Sequence, residues 1–123
     1  MNTRVSTYLI DTLAIFIFAI LARLAHNSAA DPFTFLNILD TFWPFALGTL
    51  LGTALIKNEP DPRRISSGAI VCFTTVAVGL AVWAVRNSGM PHWSFILVAT
   101  VMSGLLLLGW RGAANAVKRK SIE

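Results

Sequence analysis

The chain has 123 residues, of which 55% are hydrophobic and only 13% charged, whereas ordinary soluble domains carry about 25% charged residues. A domain this small leaves too much of its surface exposed to hide so much apolar side chain. Composition therefore excludes a soluble globular protein and points to one that lives in a bilayer. The net charge is +4, a balance that would also suit nucleic acid, and one cysteine, Cys72, excludes an internal disulfide or a cysteine metal cluster.

In chain order, four apolar segments emerge, each near the roughly 20 residues that cross a hydrocarbon core. The first covers 5–25, ending in "FAILARLAHN". The second covers about 37–57. Asp31 followed by Pro32 reads as an N-cap with a first-turn proline, which favours an early start for this helix. "KNEPDPRR" is a turn marked by Pro60 and Pro62. The third covers 66–86, "NSGMP" makes a tight connection, and the fourth covers 92–111 before a basic tail at 112–123. The expected fold is all-α, a single integral-membrane domain built as a four-transmembrane-helix bundle. Arg4, the apolar run and "NSAAD" also imitate a cleavable signal peptide, but the run is long and broken by Asp11.

The cations give the expected orientation. Arg4, Lys57, Arg63, Arg64, Arg111, Lys118, Arg119 and Lys120 fall on the side of both termini, leaving only Arg23 and Arg86 opposite. The positive-inside rule then puts both termini and the "KNEPDPRR" loop in the cytoplasm of a cell membrane. Trp43, Trp83 and Trp93 fall at the outer interface, Tyr8 and Trp110 at the inner one, as amphipathic rings prefer. The basic surplus thus reads as topology and attraction to anionic lipids at the cytoplasmic face, and nucleic acid is not an expected partner.

Polar residues inside the spans are the candidate functional groups. Asp11 lies about one turn inside the first span, and an intramembrane carboxylate is a candidate for proton or ion coupling. Arg23 lies 12 residues on, about 18 Å along the axis and about 120° round the helix, so the two cannot pair. Arg23 and His26 share a face. With Asp40, Arg86 and His92 they gather at the outer end as a candidate anion or headgroup pocket. The alternatives there are arginines that merely snorkel to headgroups, or an ion pair to Asp40. With no third ligand beside His26 and His92, no metal or other cofactor is expected.

Gly68, Cys72, Thr75 and Gly79 make a small-residue seam on the third helix, and Gly48 with Gly52 forms a GxxxG pair on the second; both suit close helix packing. Pro44 removes the hydrogen bond to the carbonyl of Asp40, so a kink is expected there. Arg23 and "WPF" in one hairpin echo Arg86 and "WSF" in the other, a faint sign of a parallel repeat.

Together these residues resemble the family catalogued as Domain of Unknown Function 3054, small four-span proteins of bacteria and archaea. The similarity rests on Asp11 opening an apolar helix, "ARLAH" at 22–26, "WPF" at 43–45 followed by Gly48 and Gly52, then Thr75, Gly79 and Arg86, and "LGWR" at 108–111. "CFTT" at 72–75 departs from it, since a tryptophan is expected before the threonine. The resemblance implies a membrane location and a fold of this size, and supplies no activity. Small multidrug antiporters also carry a carboxylate in their first helix, but their aromatic signatures are not evident here. Fluoride channels share the length, but their paired phenylalanine motif is absent.

The expected function is a small transporter, channel or lipid-handling protein for an anionic solute or headgroup, acting as a homo-oligomer because four spans leave little room for a pore. The alternative is an accessory subunit packed on a larger membrane protein. No nucleophile with a base, phosphate loop or metal triad is visible, so an enzyme is not expected.

Overall fold

A computed structural model describes residues 3–25, 34–87, 89 and 93–122. Among them are four helices and no strand: α1 (Thr3–Ala25), α2 (Phe35–Leu55), α3 (Ile65–Asn87) and α4 (Trp93–Ile122). All four are long and apolar enough to cross a membrane, which makes this an all-α, multi-pass membrane protein.

Local chemistry sets the boundaries. Thr34 caps α2 from an extended conformation, its hydroxyl accepting the Asn37 N–H at 3.2 Å, so the cap is a threonine three residues beyond Asp31, which lies outside the described residues. The α2 C-terminus closes on Ile56, whose N–H reaches the carbonyl of Gly52 at 3.2 Å. Asp61 then organises the turn into α3: its Oδ1 accepts the Arg63 N–H at 3.0 Å, and its carbonyl accepts the Ser67 hydroxyl at 3.1 Å. The largest departure from expectation is α4. It does not stop at Arg111 but continues to Ile122, over 30 residues, about 45 Å at 1.5 Å per residue. "GAANAV" is rich in alanine, the best helix former, and carries the helix on through Gly112, a residue type that often ends one.

Successive helices pack against one another and α4 closes back on α1, with α2 and α3 the most intimate pair. Lipid is as apolar as leucine, so association rests on close packing and buried hydrogen bonds rather than on hydrophobic transfer. The α2–α3 seam has both. A β-carbon on Gly48 would lie 2.7 Å from Thr75 Cα, and one on Gly52 would lie 2.9 Å from Val71 Cα. Across that close approach the hydroxyls of Thr49 and Thr75, both fully buried, are 2.9 Å apart.

Phe45 is buried in the middle, edge-on to Phe18 at 5.0 Å between centroids. Gly79 makes room for it, since a β-carbon there would lie 2.4 Å from the ring. α2 runs unbroken through the buried Pro44. Only 22–39% of each span is buried within the chain, so most of the apolar surface, Leu13, Phe73 and Leu105 included, faces outward, as lipid-facing side chains do.

Candidate functional site

One end of the bundle, the basic end, carries the start of α1, the end of α4 and the α2–α3 turn. Sequence reasoning took Arg111 as a cation closing the fourth span. Instead, Arg111 is the largest fully buried side chain among the described residues, and Asp11 of α1 is only 1% exposed. The two meet face to face, Arg111 Nη1 donating to Asp11 Oδ1 at 2.8 Å and Nη2 to Oδ2 at 2.9 Å. Arg111 Nε donates to the Pro62 carbonyl at 3.0 Å, and Nη1 also to the Leu107 carbonyl at 3.1 Å. Four of its five N–H donors are thereby engaged.

Trp110 completes the lock. Its Nε1–H donates to Asp11 Oδ1 at 2.8 Å, and the Arg111 guanidinium lies 4.9 Å from its ring centroid. One carboxylate thus ties α1 to α4, and one guanidinium ties both to the α2–α3 turn. Desolvated charges are costly singly, and this bidentate, charge-assisted geometry is what offsets the cost. Both Asp11 oxygens accept hydrogen bonds, Oδ1 from Arg111 and Trp110 and Oδ2 from Arg111, so the carboxylate has a structural occupation. The neighbouring seam serves the same lock: a β-carbon on Gly68 would lie 2.5 Å from Arg111 Cδ.

The opposite end holds the five residues expected to form an anion pocket. Arg86 Nη2 lies 2.7 Å from Asp40 Oδ1, which neutralises one of the two arginines. The Arg86 guanidinium also stands 5.4 Å from the Trp43 centroid. The side chains of this pair remain 40% and 52% exposed, so it is a surface pair rather than a buried site. Arg23 lies in the last turn of α1 and is half-buried, and His26 and His92 lie outside the described residues. Among the described residues no three His, Cys, Asp or Glu side chains come together to hold a metal ion. Cys72 is half-buried, with its Sγ 4.0 Å from where a β-carbon on Gly104 would sit.

A cleft of about 900 Å³ opens at the basic end, between the start of α1, the α2–α3 turn and the late part of α4. Thr3, Arg4, Asp61, Arg63, Asn115 and Val117 are among its walls. Arg4 is held by the turn, donating from Nη1 to the Ile56 carbonyl at 2.9 Å and from Nη2 to the Glu59 carbonyl. Asn115 donates to the Arg63 carbonyl at 3.3 Å. Arg63 approaches the ring of Trp110, its guanidinium carbon 6.0 Å from the centroid, so the cleft adjoins the Asp11–Arg111 lock. Arg4, Arg63 and Asp61 are the charged residues among its walls.

A family model described as "Protein of unknown function (DUF3054)" matches residues 8–114. Comparison with curated proteins and with solved structures gives no match.

Proposed function

We propose a role for the chain from one settled premise: it belongs to the DUF3054 family, whose model covers most of its length. The role is that of a non-catalytic membrane protein that handles an anionic solute or lipid headgroup, working from its basic end rather than from the Arg23 and Arg86 end. A single observation carries this, the cleft bounded by Arg4 and Arg63. The charges expected to serve a pathway through the spans are already spent: Asp11 on Arg111, and Arg86 on Asp40. The bundle centre is filled by Ile15, Phe18, Phe45 and Leu107. With eight of the ten lysines and arginines on its side, the basic end belongs in the cytoplasm, at an anionic leaflet.

The accessory-subunit alternative draws less support. It relied on small-residue faces available to a partner, and Gly48, Gly52 and Gly79 are taken up by packing within the chain. Mass spectrometry of the protein extracted in native lipid nanodiscs tests the choice and reports the copy number. A homo-oligomer retaining an anionic ligand that Arg63→Ala releases and Arg86→Ala keeps is the expected result. A one-to-one complex with a larger protein, empty of ligand, would overturn it.

A further inference from the structure

We infer that the cleft at the basic end takes the headgroup of a membrane lipid entering sideways from the bilayer, an inference that rests on the anion-handling role above and names where its ligand comes from. Depth carries it. Asp11 of α1, Arg111 of α4 and Gly68 of α3 meet at one point along the bundle. Past that point α3 has three more residues before the turn, about 5 Å of helix. α1 has eight more, about 12 Å, and α4 has eleven more, about 17 Å. The two helices therefore stand beyond the turn as posts, and the cleft lies between them with the turn as its floor.

The posts can be set against a bilayer. Ala113, Asn115 and Val117, on the α4 wall, lie 20–24 residues past Trp93, where α4 begins, or about 30–36 Å along its axis. Thr3 and Arg4, on the α1 wall, lie about 32–33 Å from Ala25 at the far end of that helix. A hydrocarbon core is about 30 Å thick, and a bilayer with both headgroup layers about 40–45 Å. The cleft thus opens at the depth of one headgroup layer, where its neighbours are lipid headgroups rather than bulk water.

The walls suit such a group. Arg4 and Arg63 against Asp61 leave a surplus of positive charge, and the carbonyls that hold Arg4 solvate its charge without cancelling it. Pro60, Pro62 and the exposed Val117 supply apolar surface for the glycerol and the first chain carbons. An anionic headgroup free in water shares this chemistry; attachment to lipid chains is what the depth adds.

The full chain carrying Cys72→Ser and Ala116→Cys is labelled with bimane at Ala116, an exposed position beside the α4 wall. Its emission is compared across nanodiscs in which phosphatidylglycerol replaces phosphatidylcholine, and with glycerol phosphate added to the buffer of phosphatidylcholine nanodiscs. A saturating shift with phosphatidylglycerol and none with glycerol phosphate is the expected result. Arg63→Gln, on the wall, lowers the apparent affinity about fivefold, the equivalent of about 1 kcal/mol for one cation at a leaflet. Arg64→Gln, exposed on the same turn but off the walls, leaves it unchanged. An equal response to glycerol phosphate would overturn the lipid assignment and leave the anion-handling role standing. Equal losses in Arg63→Gln and Arg64→Gln would mean attraction by the surface at large and overturn the cleft as the seat of the lipid. No response to either ligand would overturn both the inference and that role. Melting curves accompany each variant. If Arg63→Gln does not fold, Ala113→Trp, which fills the cleft from an exposed position, decides in its place: loss of the shift is expected, and its survival would overturn the inference.

Discussion

Gly68 sets how closely α3 approaches Arg111: a β-carbon there would lie 2.5 Å from Arg111 Cδ and 2.9 Å from its Nε. Arg111 cannot step aside, because its donors are held by Asp11, Pro62 and Leu107. Gly68→Ala is therefore expected to break the ion pair and cost about 3–5 kcal/mol, the usual penalty for separating a buried pair. Gly104→Ala is the matched control, with Cys72 Sγ at 4.0 Å as its nearest neighbour and an expected gain of about 0.5–1 kcal/mol from helix propensity rather than a loss. Thermal melting in detergent, followed by circular dichroism, measures both.

Asp11 and Arg111 are expected to behave as a unit. Asp11→Leu or Arg111→Met alone strands a buried charge and costs about 3–5 kcal/mol, whereas the two together cost clearly less than their sum, because replacing both partners of a buried pair by apolar groups is often near neutral. A double-mutant cycle on unfolding free energies reads the coupling. Strict additivity would mean that the pair is not what joins α1 to α4.

At the α2–α3 seam, Gly48→Ala drives a methyl group against the Thr75 backbone, 2.7 Å from Cα and 2.8 Å from the carbonyl oxygen. Backbone does not yield as a flexible side chain would, so a loss of about 1–3 kcal/mol is expected. Thr75→Val is milder, at about 0.5–1.5 kcal/mol for one hydrogen bond, since the Thr49 hydroxyl keeps the Phe45 carbonyl at 3.1 Å. Reversible unfolding in mixed micelles distinguishes the two.

Asp40→Ala should do little. The Arg86–Asp40 pair is about half exposed on both sides, and such pairs are worth about 0–1 kcal/mol and are weakened by salt. A melting difference that disappears between low and physiological ionic strength is the expected result.

The sequence announces the four spans because an apolar run of bilayer length has few other uses, and it marks Asp11 because a carboxylate inside such a run demands a partner. It concealed that partner. Arg111 follows a long apolar segment and precedes a basic tail, the usual setting of an interfacial cation, and a count of cations by side treats a buried arginine and a solvated one alike. The signal that could have found it was "GAANAV", the uncharged stretch beyond Arg111, which places the arginine inside a helix rather than at its end. The cleft was illegible for a different reason. It is assembled from residues near positions 4, 62 and 115, and no local pattern reports that they meet. At the far end, Asp40 and Arg86 were foreseen at one depth, but whether they would pair depended on which helices are neighbours.

The buried pair also has a consequence for biogenesis. Asp11 and Arg111 are 100 positions apart, so at about 5–20 residues per second the ribosome delivers the arginine about 5–20 s after the aspartate. Through that interval α1 must be kept at the insertion machinery or in the bilayer with its carboxylate unanswered, an expense that lipid does nothing to relieve. The last helix to be made therefore completes the first, and chains arrested or cut before position 111 present quality-control proteases with an uncompensated charge inside the membrane.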